Sequence, residues 1–316
     1  MEIRPDECSL SSAPGMSRRQ FGRRVSLGAV AVGTGLTTQT AHPSERKAGQ
    51  SGPRIPLKIG HRAASMKAVG DFGVFKLARQ MPGLMGVELQ VASGKPNLRD
   101  WDAVRRYKRE ANRWGMMIPS VAGVWDRGVS ILRSSAAEPN LQQAIRVAEF
   151  LGTSVVLVAF FRRNAPDMGD ESSYGPVVQL LQRVAPRAAE AGVTLGLENS
   201  LSPADNRKLV DLVGHPSVKV YYDPHNMAHY GYATEAIPGI KLLGKDRICQ
   251  VHVKNADRPI AEPGLVDWQV ALGALNEIGY EGWYVFESRH KDRAHVVDVT
   301  VKNIAFLRKH CRMPLG

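Results

Sequence analysis

Between Leu57 and Cys311 the chain alternates short apolar runs with longer stretches of helical period. The apolar runs cover 57–63, 86–92, 117–123, 154–161, 193–199, 218–223, 248–254 and 283–288. Between them, apolar residues recurring every three or four positions predict helices over 72–80, 101–114, 141–151, 174–191, 204–212, 234–243, 268–278 and 295–311. Gly115, Gly152, Gly192 and Gly279 follow four of these helices, where a left-handed residue ends a helix at no steric cost. Pro186 lacks an N–H and is expected to kink or break the fourth helix. Nearly continuous apolar strands are those covered on both faces, and strand alternating with helix builds parallel βαβ units. Eight units predict an α/β fold closed into a (β/α)8 TIM barrel, an open doubly wound sheet being the alternative on pattern alone.

Residues 1–46 stand outside this rhythm and form a separate unit; 47–316 hold the barrel. Within Ser17–Gly35, the pairs Arg18-Arg19 and Arg23-Arg24 precede an uncharged run from Val25 to Leu36. That run is too short and too interrupted by Ser26, Gly28 and Gly33 to span a bilayer, which needs about 20 apolar residues. A basic segment before a short apolar one is an export signal rather than part of the fold. Ser17-Arg18-Arg19-Gln20-Phe21 resembles the core of twin-arginine signals, which implies transport of folded cargo by the twin-arginine machinery to the periplasm or outside the cell. No stable membrane anchor follows from the remaining sequence.

Composition narrows the picture only slightly. The net charge of +12 keeps nucleic acid among the partners to be weighed, but the Lys and Arg are spread over helical segments such as 105–113, as on solvated faces. Cys8, Cys249 and Cys311 are too scattered to suggest a disulfide framework or a zinc pair. The pattern leaves room for a homo-oligomer without specifying one.

The chemistry gathers where strands end. The last four runs finish in "LGLENS", "VYYDPHN", "QVHVKN" and "YVFESRH", placing Glu198, Asp223, His252 and Glu287 at the C-terminal ends of four successive strands. Their separations of 25, 29 and 35 residues are about one βα unit each. In such barrels that end carries the active site. Three carboxylates and one imidazole aimed at one point suit a single divalent ion: Mn²⁺ first, with Mg²⁺, Co²⁺ or Zn²⁺ also compatible. His61 and Glu88 end the first two strands and are candidates to line the pocket or to bind neighbouring backbone. Lys254 shares the strand face of His252 and is placed to answer the carboxylates. Trp125, Phe160 and Phe161 offer stacking or packing surfaces.

The strand-end order Glu, Asp, His, Glu, with "EAGVTLGLEN", "YYDPHN", "VHVKNADR", "EPGLVDW" and "GYEGWYVFE", resembles the xylose isomerase-like superfamily of sugar isomerases and epimerases. The resemblance spans about 60–310 and is most specific in the second half. It implies a metal held by Glu198, Asp223, His252 and Glu287, and a substrate-contacting Arg258. It also implies a loop-shaping Asp267-Trp268 pair and a carbohydrate or keto-sugar as substrate. Glu198 and Glu287 would act as opposed acid and base, moving a proton beside a carbonyl through a metal-stabilised enediolate. The same enediolate expels a leaving group where one is present, so a lyase or hydratase is an alternative; a barrel that only binds sugars is another. Where ketose epimerases of the superfamily carry D-x-x-H, this chain has Asn226, with His225 one position early. Both are candidate substrate contacts, and the change argues against a typical free ketohexose. The abasic-site endonucleases of the superfamily need three metals and additional histidines. The second strand offers Glu88, the third no histidine, and "EPGLVDW" no D-x-H, which argues against nucleic acid.

Overall fold

In the computed structural model, which describes residues 57–311, eight parallel strands close in chain order into a barrel, the first pairing with the last. The segment read as an export signal lies outside the described residues. The strands are β1 Ile59–Arg62, β2 Gly86–Gln90, β3 Val121–Ala122, β4 Val155–Phe160, β5 Thr194–Asn199, β6 Val218–Tyr222, β7 Ile248–Val253 and β8 Trp283–Phe286. The helices are α1 Val74–Ala78, α2 Trp101–Arg113, α3 Ala137–Leu151, α4 Glu171–Glu190, α5 Pro203–Val213, α6 Pro224–Met227, α7 Pro238–Arg247, α8 Trp268–Glu277 and α9 Arg293–His310. The closed barrel is the (β/α)8 architecture that the alternating pattern predicts.

The main core lies where buried strand residues such as Val87, Val156, Leu195 and Val251 meet helix residues such as Val104, Ile145, Leu181 and Leu272. Side-chain caps start several helices: Asp100, Asp170, Ser202, Asp267 and Asp292 each accept a first-turn N–H, worth about 1 kcal/mol apiece. Two details depart from expectation. The fourth helix is not broken at Pro186: α4 runs through both Pro176 and Pro186. Val177, Leu180, Leu181, Val184, Ala185 and Ala188 are buried along it, and this continuous apolar stripe offsets the missing hydrogen bonds. The third strand is two residues long, because Pro119 cannot donate to a ladder; its neighbours still accept from β2, Met117 O from Val87 N and Ser120 O from Leu89 N. Among the described residues no helix is long and apolar enough to cross a membrane, and Cys249 and Cys311 are free.

Candidate metal centre

The register of the second half of the barrel brings the four strand-end residues together. Glu198 is on β5 and His252 on β7, Asp223 directly follows β6 and Glu287 directly follows β8. One ligand atom from each lies within 4.8 Å of the other three. Nδ1 of His252 is 3.0 Å from Glu198 Oε1, 3.4 Å from Glu287 Oε2 and 3.9 Å from Asp223 Oδ2. Asp223 is fixed by its local sequence. Pro224 opens the one-turn helix α6, and Asp223 Oδ1 caps it by accepting from Asn226 N at 2.9 Å. The same turn presents the Asn226 side chain, whose Nδ2 donates to Glu198 Oε1 at 2.8 Å.

Carboxylates packed this closely demand positive charge, and the protein brings it from two directions. Lys254 Nζ stands 2.6 Å from both Asp223 Oδ2 and Glu287 Oε2. Arg62 pairs with the other oxygen of Glu287 and lies 3.3 Å from Glu88 Oε1. Burial disfavours a charged imidazole at His252, yet Glu198 and Glu88 together raise its pKa above the ordinary value. Burial likewise opposes the Glu198 carboxylate, but His252, Lys254 and Arg62 hold its pKa below the usual range.

Beneath the four residues is a buried polar network. Glu88 is fully buried, with Oε1 3.6 Å from His252 Nε2. Its Oε2 accepts from Ser120 Oγ at 2.7 Å and Tyr221 Oη at 2.9 Å. Gln250 Nε2 donates to both Ser120 Oγ and Tyr221 Oη at 2.8 Å. Burial would raise the Glu88 pKa; His252, Arg62 and Ser120 outweigh it and bring it down to about 2. The Tyr221 ring lies against the His252 ring, 4.3 Å between centroids. Glu88 therefore sets a negative charge beneath the imidazole, where acidic partners of ligand histidines sit elsewhere.

Above the four residues opens a cleft of about 860 Å³. Its walls include His225, Asn226, Lys254, Arg258 and Glu287, all of which the sequence singles out. Lys254 is set by the loop after β7, where Trp268 Nε1 donates to Lys254 O at 2.9 Å and Asp267 caps α8. Two of the pocket candidates are placed elsewhere. Glu88 sits under the site rather than on the cleft wall, and His61 is fully buried, its ring 6.0 Å from that of Phe286 and 5.5 Å from that of His290. Burial, then nearby His290, lowers the His61 pKa to about 3, so it is neutral. Trp125 donates from Nε1 to Ala159 O at 2.6 Å, and Phe161 stacks on Tyr230.

Arg62, Ser120, Tyr221 and Gln250 escape the sequence reading. For Arg62 the missing information is register: it pairs with Glu88, whereas His61 pairs with Val87 and Phe286. Once Glu88 faces the barrel interior, its partner Arg62 does too, and the adjacent His61 turns toward the surrounding layer.

The last four strands thus converge on one cluster of three carboxylates and an imidazole with the donor set to hold a divalent ion. The chain is a member of the xylose isomerase-like TIM barrel family, whose sequence pattern matches residues 75–310. A 2-epi-5-epi-valiolone 7-phosphate 2-epimerase of Actinoplanes sp. is 30% identical over 122 residues, 38% of this chain and 44% of that protein. The match thus spans less than half of the relative's length. The fold is shared with a D-allulose 3-epimerase from Methylomonas sp. in complex with D-allulose, at 19% identity and a TM-score of 0.64, covering 82% of this chain and 98% of that one. It is also shared with a 3-keto-D-glucoside 4-epimerase from E. coli, at 17% identity and a TM-score of 0.63, covering 80% and 99%.

Proposed function

We propose that the protein is a divalent-metal-dependent sugar epimerase or isomerase that moves a proton on the carbon beside a substrate carbonyl. The observation that carries this reading is the convergence of Glu198, Asp223, His252 and Glu287 within 4.8 Å. Three carboxylates and one nitrogen fit a divalent ion that accepts mixed oxygen and nitrogen ligands, with Mn²⁺ the first choice. Such an ion, when bound, supplies Lewis acidity to the carbonyl and hydroxyl oxygens of the sugar.

The protein's own groups then handle the proton. Glu198 Oε1 is committed to Asn226 and His252, while among the described residues Oε2 accepts no hydrogen bond. Oε2 is the atom that takes the proton. Glu287, once it has taken up a proton from solvent, gives that proton to the substrate while Glu198 keeps the one it removed. Pairing with Arg62 and Lys254 sets how readily Glu287 parts with its proton. Return to the opposite face of the same carbon is epimerisation; return to the neighbouring carbon is isomerisation. The epimerase names of the partial relative and of the two barrels of like fold support this class. The export signal belongs to the same proposal, placing the enzyme in the periplasm or outside the cell. An Arg18→Lys/Arg19→Lys chain should stay in the cytoplasm; unchanged export would remove that part.

The test is deuterium incorporation from D₂O, followed by NMR, with Mn²⁺-loaded protein and a panel of neutral ketoses, keto-glycosides and their acid and phosphate forms. Label should enter beside the carbonyl of at least one compound and be lost with Glu198→Gln. A wild-type enzyme that labels none of the panel contradicts the reading.

A further inference from the structure

The walls of the cleft carry a charge that its floor does not explain. Five cations line it: Arg62, Lys67, Lys254, Arg258 and Arg289. Arg62 and Lys254 are consumed by the floor. Together with one divalent ion they balance the four carboxylates of Glu88, Glu198, Asp223 and Glu287. Lys67, Arg258 and Arg289 remain, and among the described residues none of their side chains forms an ion pair. Three unbalanced cations around one concave site raise the local concentration of anions and favour a negatively charged ligand.

Buried neutral groups point to the same part of the cleft. Ser288 and His290 line it and are 1% and 7% exposed, yet Ser288 Oγ and both ring nitrogens of His290 have no hydrogen-bond partner. Buried polar groups are almost always paired, so these three atoms leave hydrogen-bonding capacity beside the cleft. They come from the loop after β8, as does Arg289. Lys67, from the loop after β1, is close enough to His290 to depress its pKa, after burial and His295. The β8 loop is held in place by Arg289 N, which donates to Ala256 O at 2.7 Å. That contact ties it to the β7 loop carrying Arg258.

We infer that the substrate is an anionic carbohydrate whose carboxylate or phosphate is held by Lys67, Ser288, Arg289 and His290, with Arg258 on the neighbouring β7 loop. Carboxylate and phosphate share the chemistry these groups recognise: oxygens that accept hydrogen bonds and carry charge. The inference rests on the proposed function for the balanced floor and for the position of the reacting carbonyl. The anionic group itself belongs to the remote part of the sugar, where binding energy orients the reacting centre.

The test measures binding by calorimetry to the Mn²⁺-loaded protein. The probes are three ketoses alike except at C6, D-fructose, D-fructuronate and D-fructose 6-phosphate, together with inorganic phosphate. At least one anionic sugar should bind about tenfold or more tightly than D-fructose, as expected for charge-assisted contacts. Raising the salt from about 50 to about 500 mM should shrink that margin. Lys67→Gln and Arg289→Gln should each weaken the anion about tenfold and leave D-fructose unchanged. Lys76→Gln, an exposed lysine on α1, should change neither. The tighter of the two anionic sugars identifies the group, and competition by inorganic phosphate accompanies the phosphate form only. Equal binding of D-fructose and both anions, no binding of either anion, or equal weakening of all ketoses in the two variants overturns the inference. Deuterium exchange separates the two readings. Glu198-dependent exchange without an anion preference removes the anionic substrate alone, whereas an anion preference without exchange on any compound removes the proton-transfer reading.

Discussion

The two halves of the barrel do different work. β5–β8 contribute every candidate metal ligand, Glu198, Asp223, His252 and Glu287. The β1–β3 side contributes Arg62, beside Glu287, Glu88, below His252, and Ser120, which donates to Glu88. One half carries the candidate ligands, and the other places charged groups beside them. The difference teaches that a ligand cluster is only part of such a site. Three crowded carboxylates and a buried imidazole are balanced by Lys254 from their own half and by Arg62 and Glu88 from the other.

Variants break this comparison in graded ways. Glu287→Gln removes the carboxylate proposed to deliver the proton, and deuterium exchange should fall by roughly 10²–10⁴. Glu88→Gln leaves every ligand in place but removes the charge beside His252 Nε2. Metal affinity, measured by competition with a chromogenic chelator, should fall about 10–100-fold. Arg62→Met frees Glu287 from its guanidinium partner without touching the other three ligands. The exchange rate should drop about tenfold while metal content holds, since one charge-assisted contact is lost. Tyr221→Phe deletes one of the hydroxyl donors to Glu88 and leaves the ring against His252. Urea denaturation should show about 1 kcal/mol of lost stability, and exchange should be nearly unchanged. A larger loss of exchange from Arg62→Met than from Glu287→Gln would reverse the assignment of roles between the halves.

The same division explains what the sequence discloses. The second-half ligands are legible because each is a charged residue at the end of an apolar run, recurring about once per βα unit. The barrel is legible for a similar reason, its strands being apolar on both faces. Arg62 is not, because "LKIGHRA" offers His61 and Arg62 side by side, and only the register with Glu88 decides which faces inward. Ser120, Tyr221 and Gln250 are neutral polar residues inside or beside apolar runs, and their importance lies wholly in a network drawn from three separate strands or strand ends. Pro186 shows the opposite error: a strong local signal for a helix break is overridden by the buried stripe of α4. Among the charges, the unbalanced cleft cations emerge only after those spoken for by the floor are set aside.

The divalent-metal stoichiometry of protein purified without chelator, read by mass spectrometry, decides whether the four residues form a metal centre. Wild type and Arg62→Met should each carry about one ion per chain, and Asp223→Ala and His252→Ala less than about a tenth, all four folded by circular dichroism. Folded wild type holding less than about half an ion, or Asp223→Ala holding as much as wild type, would contradict the assignment of the metal centre to the second half of the barrel.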